Sequence, residues 1–331
     1  MRARALVRGL FVAMVVGLAA TACGESGGGG GGGGGNRQMT GLKLLVGTAP
    51  GGGFDLTART AAKAMEDARL ARNVEVQNLA GAGNTIALQR LVNEKGNGKV
   101  MQQMGLGLVG GVYTNKSKAT IDQTTPVARL TEEPEIVVVS KDSPYQSFEQ
   151  LLAAWKADPG KLAVGGGSSP GGPDHLAPML IAKEAGIDPK DVNFVSYDGG
   201  GELLAAVLGN QVAFGVTGPG ETKDQIDAGE IRALAVTSAE PFQGLDAPTL
   251  KDQGVDLEFT NWRGWIAPGE LSEEDKQTLI DLATSMHDSQ QWKDALATNG
   301  WTDAFMVGDE YAAFLKAEDQ RVADVLNELG L

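Results

Sequence analysis

Five times along this chain a short apolar run ends in a glycine-rich turn and gives way at once to a helical pattern. The turns are "APGGGFD", "AGAGNT", "GGGSSPGGPD", "DGGGE" and "TGPGE". Strands are expected at "LKLLVG", "NVEVQNL", "KVMQQMGL", "EIVVVS", "KLAVGG", "VNFVSY", "VAFGVT", "RALAVT" and "FTNWRGWIAP", and helices over 55–70, 85–93, 147–156, 173–184, 201–208 and 220–228. Strand and helix alternation of this kind predicts an α/β fold with mostly parallel sheets flanked by helices. After Pro268 the pattern is almost wholly helical, opening on a capping box formed by Ser272 and Asp275. In an open parallel sheet, ligands bind beyond the carboxyl ends of the strands. Glycine there lets a ligand reach the backbone, and the free N–H groups of the following helix attract anions. Any one such loop reads equally well as a tight turn; five in series point to an anion-binding edge.

The first residues belong to a different problem. "MRARALVRGLFVAMVVGLAATAC" has a basic start, a short apolar run and small residues before Cys23, the pattern of a secretory signal whose apolar run is too short to span a bilayer. "AATAC" resembles the lipobox of bacterial lipoproteins, in which the cysteine becomes the lipidated first residue of the mature chain. The other reading is an ordinary signal peptide with an incidental cysteine. Cys23 is the only cysteine, so no disulfide framework is expected within the fold. The glycine tract that follows has too little apolar surface to pack and reads as a flexible tether. The expected organisation is a signal peptide over 1–22, a lipidated Cys23 with its tether over 23–40, and a folded part long enough for two domains. The formal net charge is −14, more negative still once Arg2, Arg4 and Arg8 leave with the signal. Such a surface repels phosphate backbones and makes nucleic acid an unfit partner, whereas a small anion in a cleft answers to its local donors.

Enzyme and cofactor motifs fail on their residues. "GAGNTI" lacks the third glycine of a dinucleotide-binding loop, and no loop ends in the Gly-Lys-Ser/Thr of a P-loop. Residues 167–171, "GSSPG", match the nucleophile elbow literally, with Ser169 as the serine. The next residue, however, is Pro170, which has no N–H to donate to an oxyanion. Only His175 and His287 exist as bases, so a serine hydrolase is the weakest of the alternatives. No metal-ligand spacing is present, no cofactor is expected, and the carboxylates read mostly as solvating charge on helix faces.

Taken in order, the loops resemble those of the extracytoplasmic solute-binding proteins of tripartite tricarboxylate transporters. "APGGGFDLTAR" matches the family's P-G-G-x-x-D-x-x-A-R, and "NLAGAGNT" its N-x-x-G-A-G-x-T. "GGGSSPGGPDHLA" corresponds to a glycine-serine loop, "VSYDGGGELLAAVLGNQVAFGV" to Y-x-G-G-G with its helix and strand, and the stretch from "IRALAVT" through "NWRGWIAPGELSEED" follows in order and spacing. Pro170 and Pro173 interrupt the usual glycine-serine loop, and Asp198 stands where the family often has lysine. The resemblance implies a two-domain clamp of the periplasmic-binding-protein type with no catalytic step and a ligand cleft between the domains. Domain I would comprise 41–139 and 260–331, and domain II 140–259. Gly52, Gly53, Phe54 and Asp55 on one side, and Ser168, Ser169 and Gly171 on the other, would grip a ligand carboxylate. Asn84, Thr85, Tyr197, Gly199, Gly200 and Thr217 in the matching loops complete the expected site.

What the resemblance adds is a role: capture of a small di- or tricarboxylate such as citrate outside the cell, by a protein lipid-anchored to the outer face of the membrane, and delivery to a membrane permease. The same clamp for an amino acid or aromatic acid, and a ligand sensor, stay open beside it. Two side chains carry sharper expectations. Asp55 suits a cap at the start of the first helix, and is expected to organise the loop or to receive a ligand hydroxyl or bridging water, since a carboxylate facing an anionic ligand would be repelled. Arg263, between Trp262 and Trp265, either clamps a ligand carboxylate through its planar fork or pairs with an acidic neighbour while the tryptophans pack in the core.

Overall fold

The run after Leu42 forms a strand whose residues are buried on both faces, the mark of a central parallel strand rather than of a half-exposed one. In the computed structural model, residues 38–197 and 199–331 are described; the expected signal peptide, Cys23 and Asp198 lie outside them. The chain runs β1 (Met39–Thr40), β2 (Lys43–Val46), α1 (Gly53–Asp67), β3 (Ala71–Arg72), β4 (Glu75–Asn78), α2 (Thr85–Val92), β5 (Val100–Gly105), α3 (Leu106–Thr114), β6 (Thr124–Pro134) and β7 (Ile136–Ser140). It continues with α4 (Phe148–Ala157), β8 (Ala163–Gly166), α5 (Pro173–Glu184), β9 (Asn193–Ser196), α6 (Gly200–Leu208), β10 (Phe214–Thr217), α7 (Pro219–Asp227) and β11 (Ile231–Val236). The last stretch is β12 (Thr260–Pro268), α8 (Glu273–Asp288), α9 (Gln290–Asn299), β13 (Thr302–Val307) and α10 (Gly308–Leu329).

Two mixed sheets result, one of six strands in the order β13-β6-β12-β5-β2-β4 and one of five in the order β11-β7-β10-β8-β9, beside a short β1-β3 pair. Within the two sheets, parallel pairing is confined to β4-β2-β5 and to β9-β8-β10, the strands that feed the glycine turns. Antiparallel pairing takes a larger share than the alternation implied, because the long strands β6 and β12, which border the crossings between the sheets, pair antiparallel with their neighbours. β6 and β13 were not expected: no element was anticipated over "TTPVARLTEEP", and the residues after Pro268 read as almost wholly helical.

Register explains where the clefts of the two sheets lie. Arg263 in β12 faces Gly105 at the carboxyl end of β5 on one side and Thr131 of β6 on the other. Just beyond, Ile136 opens β7 opposite Thr217, the carboxyl end of β10. A single residue, Glu135, therefore carries the chain from the carboxyl edge of one sheet to the carboxyl edge of the other. The boundary expected after Val139 falls inside β7, and the change of sheet comes at Glu135. The chain returns at Phe259, and Thr237 ties the two crossings together. Its N–H donates to Glu135 O (2.9 Å), its hydroxyl accepts from Glu135 N–H (2.8 Å) and donates to Phe259 O (2.6 Å), and its carbonyl accepts from Phe259 N–H (2.9 Å).

Packing is asymmetric about that hinge. On one side a continuous core runs from α3, Trp262 and α10 into Trp155, Leu176 and Phe214 of the second lobe. Separate cores lie under α1, α8 and α9 and under α6. Fully buried side chains such as Trp155, Trp262 and Trp292 contribute about 1.5–3 kcal/mol each in burial. With the lobes joined through the α10 side, the open space between them lies on the opposite side, along α1, α7 and α9.

Candidate functional site

Apart from α2, whose capping residue is Asn84, and α10, whose capping residue is Val307, the helix starts divide into two groups. α1, α3, α5, α6 and α7, which follow strands at the two carboxyl edges, take Gly52, Gly105, Gly172, Gly199 and Gly218 as capping residues, with no side-chain cap. α4, α8 and α9 start elsewhere and are capped by the hydroxyls of Ser147, Ser272 and Ser289. β7 runs antiparallel to β10, and β12 to β5, so the helices after them begin at the far edges. Bare N–H groups with the positive end of the helix dipole are therefore concentrated where the lobes face each other. A cleft of about 580 Å³ opens there, lined among others by Gly51, Gly53, Glu133, Gly218, Glu221 and Arg263.

Arg263 lines this cleft but its guanidinium is held by Glu133, a buried ion pair in which both side chains are about one-tenth exposed. Trp262 and Trp265 pack on opposite sides of β12, their indole N–H groups donating to Glu318 (2.7 Å) and Gln103 (3.0 Å). Of the two expectations for this stretch, the geometry matches the paired arginine with core tryptophans. A Cβ at Gly53 would stand 2.8 Å from the guanidinium, so a side chain there would displace it.

Asp55 is turned inward as well. It accepts from Gly51 N–H (2.8 Å), from Asn78 Nδ2 (2.8 Å) and from Arg59 Nε (2.9 Å). Burial alone would raise its pKa, but these donors outweigh it and the carboxyl is held below its ordinary value. It sits inside α1 and ties down the loop before the helix, rather than capping it as the residue at the boundary.

The other expected residues lie along the same two edges. Phe54 is buried against Gly105, Asn84 adopts a left-handed backbone (φ 72°) with its side chain against Gly47, and Thr85 donates to Ala82 O (2.7 Å). Ser168 Oγ accepts from Asp174 N–H (3.0 Å), and Thr217 Oγ1 donates to Glu221 (2.9 Å). Tyr197 is half-buried beside Gly165, and Gly199 caps α6 at φ 149°. Gly171 packs its backbone directly on Gly110 of α3. Among the expected residues, Gly53 and Arg263 line the open cleft. The hydroxyls of Ser168, Thr85 and Thr217 were expected to grip ligand and are engaged with the protein itself. Ser169 is exposed, and no hydrogen bond joins it to His175. That histidine accepts Gly171 N–H at Nδ1 (3.1 Å), stacks edge-on against Phe194, and has its pKa lowered to about 4 by burial.

What the sequence reading missed is a set of carboxylates at the centre. Glu133, Glu135 and Asp174 are buried, and Glu221 faces the cleft. Asp174 accepts Gly167 N–H (2.7 Å), and a side chain at Gly200, the first residue of α6, would collide with the Glu221 carboxylate. Burial, then Glu221, pushes Asp174 up to about 7; burial also raises Glu221. Glu135 is raised well above its ordinary value by burial, then by Asp174, Glu133 and Glu221. The one signal in the sequence was that these acids stand beside prolines, in "TEEPE", "GPDH" and "GPGE". Among the described residues no helix is long and apolar enough to cross a membrane, and no cluster of His, Cys, Asp and Glu has metal-binding geometry.

This two-lobed architecture, with its order of glycine loops, matches the family model for the tripartite tricarboxylate transporter family receptor over residues 57–331. The chain belongs to that receptor family. The receptor is 26% identical over 302 residues to Protein BugT of Bordetella pertussis, covering 87% of this chain and 89% of that one. Among solved structures, a TctC solute-binding protein from Polaromonas without ligand is 25% identical with a TM-score of 0.71, covering 88% of this chain and 99% of that one. MatC of Rhodopseudomonas palustris with bound malate is 22% identical with a TM-score of 0.71, covering 86% and 98%, a likeness of fold.

Proposed function

We propose that this receptor captures a small carboxylate solute outside the cell and passes it to the membrane permease of a tripartite transporter, without catalysing any reaction on it. The observation that carries this reading is that glycine-capped helix starts from both lobes, those of α1 and α7, line one cleft. Anchorage through a diacylglyceryl group on Cys23, followed by the glycine tether, is part of the same reading, since two acyl chains hold a protein stably at a bilayer. Malate in the solved relative supports a carboxylate ligand. A tricarboxylate such as citrate is the poorest fit within that class, because Glu133 and Glu221 line the cleft and Arg263 is already paired.

A thermal-shift screen of carboxylates tests capture, because a ligand that binds only the folded state raises the melting temperature by mass action. Deletion of the gene followed by uptake of the labelled solute tests delivery: lost uptake supports transport, and unchanged uptake with altered signalling favours a sensor. A Cys23→Ser protein is expected in the soluble fraction, and its retention on membranes would remove the lipid anchor.

A further inference from the structure

Two glycine-capped helix starts line the cleft, and each already has a side chain of the protein against it. Across the start of α1 lies the Arg263 guanidinium, 2.8 Å from where a Cβ of Gly53 would stand. Against the start of α7 lies Glu133, since a Cβ at Gly218 would stand 3.6 Å from its Cδ and Oε1. Glu133 belongs to β6 of the first lobe and Gly218 precedes α7 of the second, so one carboxylate reaches from its own lobe to a helix start of the other. Glu133 and Arg263 are buried, paired with each other, and line the cleft. The carboxylate therefore stands as an incoming acid would, between a guanidinium and the positive end of a helix. The guanidinium is also incompletely satisfied. Its Nη2 donates to Glu133, while its buried Nε has no acceptor. A buried donor left without an acceptor is unfavourable, and calls for an explanation beyond a purely structural pair.

We infer that Glu133 is a specificity-determining residue of this cleft: a resident carboxylate that holds, on Arg263 and at the start of α7, the place a second acid group of the solute would take. This rests on the carboxylate-capture reading, in which the solute meets the donors of the same cleft. With Glu133 in place the charge of Arg263 is already neutralised. A solute with two carboxylates has either to leave one of them beside a like charge or to displace Glu133 from both of its neighbours, and like charges brought together discriminate strongly between partners. A solute with one carboxylate meets neither penalty. Glutamine at this position keeps the shape of the side chain and an oxygen for Arg263 to donate to, and removes only the charge.

The test is calorimetric titration of the full-length chain and of its Glu133→Gln variant with matched acids, butyrate against succinate and hexanoate against adipate. The parent protein is expected to favour the monocarboxylate of each pair. Glu133→Gln is expected to move the ratio of affinities toward the dicarboxylate by on the order of tenfold. Asp224→Asn, which removes an exposed charge of α7 along the same cleft, is the control for net charge. It is expected to move the ratio by about twofold or less, because exposed charges are screened. The variant leaves Arg263 without its counter-charge, so melting temperatures are taken first. If Glu133→Gln does not fold, Glu133→Asp takes its place: it keeps the pair's charge, draws it back from Gly218 by one methylene, and is expected to move the ratio in the same direction. A ratio unchanged in the folded variant, with both members of each pair weakened alike, confines Glu133 to a structural pair and overturns the inference while leaving carboxylate capture standing. Tighter binding of the dicarboxylates by the parent protein, or an equal shift in Asp224→Asn, overturns it in the same way. Failure of all four acids to bind either folded protein counts instead against the capture reading, and the inference falls with it.

Discussion

Arg263 is the residue on which the charge of the cleft turns. Its partner Glu133 is as buried as it is, so truncating the arginine leaves a carboxylate enclosed without compensation. Arg263→Ala is expected to destabilise the protein by about 3–5 kcal/mol in urea unfolding, with Arg263→Lys losing less because the charge is kept while the fork is lost. Unchanged stability in both would mean that the pair is dispensable and the guanidinium free for ligand. Asp174 gives a second prediction, about pH. Its folded pKa of about 7 lies above the ordinary 3.8, so over that interval the folded protein holds a proton that the unfolded chain has released. The stability associated with it is full below 3.8 and is lost as pH rises through 7. His175 has the opposite sign: with a folded pKa of about 4 its contribution is present above 6.5 and lost as pH falls toward 4. Asp174→Asn keeps an acceptor for Gly167 and His175 unchanged. Relative to the parent protein, its stability is expected to improve by on the order of 2–4 kcal/mol from pH 4 to pH 8. A difference that stays flat with pH would show that Asp174 is ionised throughout.

At the scale of elements, the loop between β2 and α1 is held by one carboxylate with three partners. Asp55→Ala strips the acceptor from Gly51, Asn78 and Arg59 together, and a loss of about 1–3 kcal/mol is expected in the ligand-free protein. Solute affinity is expected to fall as well, because Gly51 and Gly53 lose their fixed position; intact affinity with reduced stability would confine Asp55 to a structural role. The glycine loops were legible in the sequence because a strand, a glycine run and a helix are each local patterns. The carboxylate wall was not legible in the same way. Glu133 is buried by pairing with Arg263, far along the chain, and nothing in "TEEPEI" records that partner. α3 was missed for a related reason: "LGLVGG" continues β5 without a break in hydropathy, and its glycines are explained by contacts with Gly83 and Gly171 rather than by a turn.

At the scale of the whole molecule, the lobes meet backbone to backbone where Gly110 of α3 lies on Gly171, beside the core that α3 shares with α10. A Cβ at Gly110 would strike the Gly171 carbonyl, with no flexible side chain to move away. Gly110→Ala is expected to hold the cleft wider, seen as a larger radius of gyration in small-angle scattering, and to weaken solute binding on the order of tenfold, about 1.4 kcal/mol. An unchanged radius and affinity would mean that this seam does not govern closure. The ring of hydrogen bonds about Thr237 has a further consequence, in amide exchange. The N–H groups of Glu135, Thr237 and Phe259 protect one another through one hydroxyl and one peptide unit, so none can be exposed to solvent alone. They are expected to exchange deuterium as a single group, at the rate at which the crossings come apart, and distinct exchange rates at the three amides in NMR would show that they open separately. Lobe motions that merely twist the crossings leave no deuterium there, so the isotope at these three positions counts hinge ruptures and passes over every opening of the cleft.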